Sequence, residues 1–405
     1  MSIIVMKFGG TSVANLDRIK NVANIVENHS KNNKIIVVLS AMAGVTNNLQ
    51  DQLVSLDSNG SPENDLVLTS GEQVSIGLLS SILKKKGIKS IPLLGWQIPI
   101  ITDEHHEKAK ILNIDTKNIN YFFKEFDVIV LAGFQGINTK GQITSLGRGG
   151  SDTTAVAIAS AVKAERCDIF TDVEGVFTTD PNIVPKAKKI SKVSYEEMLE
   201  MASMGAKVLQ TRSVELAMKN NLTLQVLSSL TNKEGTFVID TDNLIEKEIV
   251  SGVSYSKNEA KVTISGIPDK PGISAKIFGI MAENNINVDM IVQNISQDGV
   301  FANITFTVSD KDLELSNRLL HENSSFLNFK SVLTDDKVSK VSVIGMGMMS
   351  QSGVAEKMFK TLAENSINIL AISTSEIKIS VLIDKKYTEL AVKSLHAVYN
   401  LNNIN

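Results

Sequence analysis

The stretch Lys7-Phe8-Gly9-Gly10-Thr11-Ser12 closes the run Ile3-Ile4-Val5-Met6 and precedes a helical pattern from Leu16 to Asn28. A short β-rich run, then adjacent glycines, then a helix, is how a mostly parallel α/β sheet opens. Glycines at that junction let backbone N–H groups approach an anion, and Lys7 adds a point charge. The run is neither a Walker A loop nor a dinucleotide fingerprint, whose glycine spacings differ. Alone, it reads more readily as an ordinary turn beside a solvated lysine.

A second glycine cluster changes that balance. Leu146-Gly147-Arg148-Gly149-Gly150-Ser151-Asp152-Thr153-Thr154 leads into Ala155–Val162, which is apolar nearly all round and so predicts a buried helix. Ser151 or Asp152 would cap it. A helix start approached through glycines beside an arginine suits an anion. Strand-like runs recur at Lys34–Ser40, Asp127–Gly133, Asp168–Asp172 and Leu222–Leu227, between helical patterns at Thr69–Lys86, Ser151–Lys163 and Tyr195–Leu209. The alternation predicts helices on both faces of the sheet and one crevice for a phosphate or carboxylate at the strands' carboxyl ends. Ser40–Thr46, Ser70-Gly71-Glu72 and Thr171–Pro181 fall at further strand or helix ends.

Over Ser229–Ala260 the periodicity lapses; Asn232, Lys233, Glu234, Gly235, Asp240, Asp242 and Asn243 mark a connection. Beyond it the chain repeats itself. Lys276-Ile277-Phe278 returns as Lys357-Met358-Phe359, and Ala282-Glu283-Asn284 as Ala363-Glu364-Asn365, both at an offset of 81. A shared offset marks an internal duplication. Each copy reads as a small βαββ-type sandwich, more often a binding or regulatory unit than a second active site.

The 405 residues suggest two or three domains. Lys plus Arg is 41 against 44 Asp plus Glu, a net charge of −3, which argues against a nucleic-acid-coating protein. The only cysteine, Cys167, precludes an intrachain disulfide and fits a reducing, cytoplasmic compartment. Ile35–Leu39 and Val128–Ala132, the longest apolar runs, are far below the ~20 residues of a spanning helix, so no membrane is expected. His105-His106 reads as a solvated loop or helix start, and no metal-ligand spacing is seen.

Taken together, Lys7–Ser12, Thr69–Glu72, Gly147–Asp152, Thr171–Pro181 and Met204–Leu209 resemble the aspartate kinase family in its monofunctional form, and the duplicated tail resembles that family's paired ACT domains. The resemblance implies a three-layer αβα amino-acid kinase fold over 1–245, followed by ferredoxin-like ACT domains at 261–335 and 340–405. It leaves open whether the last strand completes the first ACT sheet or the second. It implies phosphoryl transfer from ATP, with Mg²⁺, to the side-chain carboxylate of L-aspartate, opening lysine, threonine and methionine biosynthesis.

By the same resemblance Lys7, Asp152 and Lys207 would be catalytic. Ser40, Thr46, Glu72, Arg148 and Ser151 would hold aspartate, Glu72 at the α-ammonium and Arg148 at the α-carboxylate. ATP would meet Lys7, Phe8, Gly9, Gly10, Thr171, Asp172, Phe177, Asn182 and Lys207. Asn182 stands where relatives often carry Arg, and Phe177 where Tyr is common. Lysine, threonine or both would bind among Asp269, Pro271, Gly272, Ile273, Ser274, Asn287, Asp289 and Gln293 in the first repeat. The second repeat offers Val354, Asn368, Ile369, Thr374 and Ser375, but Ser350-Gln351-Ser352-Gly353 replaces the first repeat's Pro-Gly. A homodimer or homotetramer through the ACT domains is expected. Other amino-acid kinases share the glycine loops without this combination, and a catalytically silent regulator would not need Lys7, Asp152 and Arg148.

Overall fold

The computed structural model describes residues 2–56, 60–203, 208–231, 233–240, 249–297, 299–349 and 352–402. Lys207, with Met204–Ala206, lies outside these, as do Asn232, Asp242, Asn243, Ser350 and Gln351. The chain forms two compact units. The first takes the described residues between Met1 and Val176, Lys189–Ser203, and those between Lys207 and Ile245; the second takes Phe177–Lys188 and those between Glu246 and Asn405.

The first unit's strands are β1 (Ile3–Phe8), β2 (Lys34–Leu39), β3 (Ser90–Leu93), β4 (Ile100–Thr102), β5 (Ile111–Ile114), β6 (Val128–Ala132), β7 (Gln135–Ile137), β8 (Ile143–Ser145), β9 (Arg166–Thr171), β10 (Lys192–Ser194), β11 (Leu224–Ser228) and β12 (Thr236–Ile239). Its helices are α1 (Leu16–Ser30), α2 (Val45–Val54), α3 (Pro62–Leu68), α4 (Ser70–Lys85), α5 (Lys117–Phe122), α6 (Gly150–Ala161), α7 (Tyr195–Ser203) and α8 (Thr211–Lys219).

Eight strands form the main sheet in the order β10-β12-β11-β9-β1-β2-β6-β3. Six of them, from β11 to β3, run parallel. Their continuous apolar runs are what burial on both faces requires. On one face Ile19, Val22, Val26, Ile76, Leu79 and Leu83 of α1 and α4 pack on Met6, Phe8, Val37 and Val130. The alternate residues Val5, Ile36, Val38 and Ile129 are equally buried, as the two-residue strand period demands. Helix α6, buried from Gly150 through Ala159, packs on β1.

From β1 the chain moves to β2 and β6 on one side, then returns to β9 on the other. A crevice opens at the carboxyl ends where the order reverses. A separate four-stranded sheet, β5-β4-β7-β8, completes the first unit. Pro62–Lys85 is long and apolar enough to cross a bilayer by composition, a run the short apolar stretches did not suggest. Here its second half packs against the sheet.

In the second unit the strands are β13 (Gly252–Pro268), β14 (Asp289–Ile295), β15 (Phe301–Ser309), β16 (Ser331–Ile344), β17 (Ile369–Thr374) and β18 (Lys378–Asp384). The helices are α9 (Ile273–Glu283), α10 (Leu313–Glu322), α11 (Ser324–Leu327), α12 (Val354–Glu364) and α13 (Thr388–Val398). One sheet, β14-β15-β13-β16-β18-β17, serves both repeats. Residues Glu259–Ser265 of β13 pair in the first repeat, whereas Gly252–Ser256 pair with Lys340–Ile344 in the second.

The second repeat therefore takes its edge from chain that precedes the first, and Val253 lies in its core with Val341, Met358, Val381 and Leu395. The final strand, β18, pairs with β16 inside the second repeat. Ile183 joins that same core. Phe177–Lys188 is further fastened there by Thr178 Oγ1 to His396 Nε2 at 2.8 Å and by Tyr255 Oη donating to Asp180 Oδ2 at 2.9 Å.

Candidate active site

A cavity of about 700 Å³ opens at the carboxyl ends of the parallel strands of the first unit. The end of β1 and the turn after it bring Lys7, Gly9 and Gly10 to it, the end of β2 and the start of α2 bring Ser40 and Thr46, α4 brings Glu72, and the loop into α6 with its first turn brings Arg148, Ser151 and Asp152. Thr171 closes the list of expected residues that line it. Sequence neighbours from five separate segments thus meet at one wall.

Close approach explains the glycines. A Cβ at Gly10 would stand 3.0 Å from the carbonyl oxygen of Ala41, and one at Gly9 would stand 3.3 Å from Lys7 Nζ. Gly149, at φ 73°, caps α6 in the left-handed region. The cap is this glycine; Ser151 and Asp152 lie within the first turn, because the helix begins two residues earlier than a Ser151 cap would place it. That shift frees both side chains for the cavity.

The charges are arranged in opposition. Lys7 Nζ lies 2.6 Å from Asp152 Oδ1, with both side chains largely buried. A carboxylate there fixes the ammonium and suits the positive end of α6. Glu72 is 2% exposed. Its Oε1 accepts the Ala41 amide at 3.0 Å, while Oε2 finds no hydrogen-bond partner among the described residues. Burial pushes its carboxyl up to about 7, against the backbone hydrogen bond from Ala41. Arg148 is exposed at the cavity's edge. A buried carboxylate oxygen lacking a donor is a place for a cation that arrives with a ligand.

Other expected residues stand elsewhere. The ring of Phe8 points into the core and stacks on Phe170, centroids 4.4 Å apart. Asp172 accepts a hydrogen bond from Thr171 Oγ1 at 3.1 Å and is not among the lining residues. Phe177 and Asn182 belong to the second unit. Asn182 closes its own turn, donating from N and Nδ2 to Asp180 Oδ1.

In the first repeat, Gln293 bridges Asp269 (3.5 Å) and Ser274 (3.3 Å) beside Pro271, Gly272 and Ile273. Asn287 is exposed. Asp289 is held by the buried Lys340 at 2.5 Å. In the second, Val354 opens α12, Asn368 and Ile369 enter β17, and Thr374 and Ser375 leave it.

Thr11, Asn47, Gln50, Glu107, Phe134, Ser145 and Gln210 also line the cavity. Glu107 and Ser145 had no sequence signal, since Glu107 sits in the turn between β4 and β5 and Ser145 ends the three-residue β8. His106 is a correction. It is not solvated: its Nδ1 lies 2.7 Å from Oδ2 of the fully buried Asp65. That partner is 41 residues away, beyond any local pattern.

Residues 2–228 match the amino acid kinase family, and residues 262–323 and 341–399 match the ACT domain. Over 405 aligned residues the chain is 48% identical to the aspartate kinase of Pseudomonas putida, spanning 99% of this chain and 98% of that one. The chain belongs to the aspartate kinase family. To the family's aspartokinase from Helicobacter pylori it is 47% identical, over 99% of this chain and all of the other. Escherichia coli aspartokinase III, solved with aspartate and ADP in its R state, matches with a TM-score of 0.82 at 27% identity, over 98% of this chain and 99% of that. The same enzyme with lysine and aspartate, in its T state, matches at 0.76 and 28% over the same shares. Membership of the family accounts for both the doubly wound kinase module and the paired ACT repeats.

Proposed function

We propose that this chain transfers the γ-phosphoryl group of ATP to the side-chain carboxylate of L-aspartate, giving 4-phospho-L-aspartate. The supporting observation is one cavity in which a buried, donor-seeking Glu72 stands with Arg148 and the Lys7–Asp152 pair. Relatives named for aspartate, and one solved with aspartate and ADP, support the same reading.

The nucleophile, a side-chain carboxylate, is ionised at neutral pH and needs no general base. The work left to the protein is positioning and charge stabilisation of the moving phosphoryl group. Lys7 would hold that group, with the backbone of Gly9 and Gly10 drawn close to it, and Asp152 would keep the Lys7 ammonium in place. Lys207 is proposed as a second cation on the nucleotide side. Glu72 would take the α-ammonium through its unpartnered oxygen, and Arg148 the α-carboxylate as a bidentate fork. Ser40, Thr46 and Ser151 supply hydroxyls at the cavity.

Mg²⁺ fits as a companion of the nucleotide, since Asp152 is already paired with Lys7 and no group of three or more His, Cys, Asp or Glu side chains gathers among the described residues. Bound there, it would neutralise phosphate charge.

The ACT repeats are proposed to bind lysine, threonine or both as feedback effectors of a pathway to those amino acids and methionine. The relative solved with lysine supports this. Exposed Ile291, Ile295 and Ile372 on the outer strands suit a second copy of the chain, giving a homodimer or homotetramer. The buried Cys167 fits a reducing cytoplasm.

ATP and L-aspartate, with the product trapped as its hydroxamate by hydroxylamine, test the reaction directly. Hydroxamate formation with aspartate and not with glutamate or N-acetylglutamate is the expected result. Its absence would overturn the reading.

A further inference from the structure

We infer that Asp65 is a positioning residue for the amino-acid end of the cavity. Through Ser145 and the backbone of Glu107 it sets the loop that carries Arg148. This rests on the proposed role of Arg148 at the α-carboxylate.

Asp65, on α3, does not line the cavity and is fully buried. A carboxylate in such a place is costly unless several donors surround it, and its donors come from two other segments. Ser145 Oγ donates to Oδ1 at 2.5 Å, the Glu107 amide to Oδ1 at 3.0 Å, and His106 Nδ1 lies 2.7 Å from Oδ2. Ser145 ends β8, three residues before Arg148. Its carbonyl accepts the amide of Ala109 at 2.9 Å, so the two segments that Asp65 holds are also stitched to each other.

The corner admits little slack. A Cβ at Gly147 would stand 2.9 Å from the Glu107 carbonyl oxygen. Glu107 itself sits at φ 63°, a conformation disfavoured for a side chain of its size. Its Oε1 returns to the start of α3, accepting from Asn64 Nδ2 at 2.7 Å and from the Gly60 amide at 2.9 Å. Arg212 completes the brace, donating to the carbonyls of Leu146 at 2.9 Å and Ala109 at 3.0 Å. A bidentate grip on a carboxylate loses force with small displacements, so fixing Ser145 and Gly147 fixes the reach of Arg148.

The test compares wild type, Asp65→Asn and Ser145→Ala in the hydroxamate assay, with L-aspartate and with its α-amide, which lacks the carboxylate that Arg148 would grip. In Asp65→Asn, an amide N–H replaces one acceptor against three donors. The KM for aspartate should rise about tenfold and the preference for aspartate over the α-amide should fall by a similar factor, while the KM for ATP stays within about twofold. Ser145→Ala, which removes a single donor, should move the same ratio in the same direction and stands in if Asp65→Asn does not fold. Folded variants that keep the wild-type preference, or that raise both KM values alike, overturn the role of Asp65. A wild type that does not prefer aspartate over the α-amide overturns the reading of Arg148, and this inference with it.

Discussion

Lys7 Nζ and Asp152 Oδ1 stand 2.6 Å apart, one at the end of the central strand and the other in the first turn of the most buried helix. Neither side chain can wander, because the backbone on each side is held by the core. In the proposed role the pair holds its ammonium where transferred charge would develop, and removing such a preorganised donor lowers kcat by about 10²- to 10³-fold. Lys7→Ala is expected to show that loss in the hydroxamate assay. Asp152→Asn keeps the shape but frees the ammonium to turn, and a smaller loss in kcat is expected. Full turnover by Lys7→Ala would refute the role given to Lys7.

Glu72 sets a pH dependence whose sign follows from its burial. Its carboxyl is raised from 4.5 to about 7, so the free fold holds it protonated through much of that window. If Glu72 takes the α-ammonium as proposed, binding needs its ionised form, and binding below pH 7 must expel a proton. The KM for aspartate should therefore fall about tenfold from pH 6 to pH 8. Glu72→Gln should raise KM and flatten the profile. In the unliganded protein the sign reverses: a raised carboxyl contributes stability that is full below 4.5 and is lost as pH rises towards 7. Aspartate should accordingly raise Tm more at pH 8 than at pH 6.

What the sequence disclosed and what it hid divide along one physical line. Ile35–Leu39 and Val128–Ala132 were legible as strands because a parallel strand buried on both faces is apolar throughout. The glycines beside Lys7 and Arg148 were legible because adjacent glycines after a strand mark a turn where backbone can approach closely. By contrast, β4, β7 and β8 have three residues each and exist only through distant pairing, as when Gly136 lets β7 approach the carbonyl of Ile100. Gly252–Ser256 looked like linker because its partner, Lys340–Ile344, follows an entire intervening repeat. His106 looked solvated for the same reason: Asp65 is remote in sequence.

Gly149 offers a test of the loop into α6. Its φ of 73° and the 2.1 Å that a Cβ would leave to Gln210 Cγ penalise any side chain twice. Gly149→Ala is expected to destabilise the protein by about 1–3 kcal/mol, through the left-handed backbone and overpacking together. Thermal unfolding should show a lower Tm. Because Gly149 lines the cavity between Arg148 and Ser151, aspartate turnover at saturating ATP should fall as well.

The second unit has its own sensitive contact, between Thr178 Oγ1 and His396 Nε2, both groups buried. Thr178 also accepts the amide of Lys188 at 3.1 Å, closing Phe177–Lys188 on itself, and its carbonyl accepts the amide of Val253 at 2.8 Å, so one residue fastens that segment to the unit at two points. Thr178→Val leaves the imidazole nitrogen and the Lys188 amide without their partner and should cost about 1–3 kcal/mol. Burial holds His396 below its ordinary 6.5, so the folded state resists a proton that the unfolded state accepts. Stability from this group is complete above 6.5 and is lost as pH falls through 6.5 towards the lowered folded value. Urea unfolding at pH 7.5 and pH 5.5 should show the loss in wild type and a smaller one in His396→Gln. Equal losses in both proteins would place the acid sensitivity at another group.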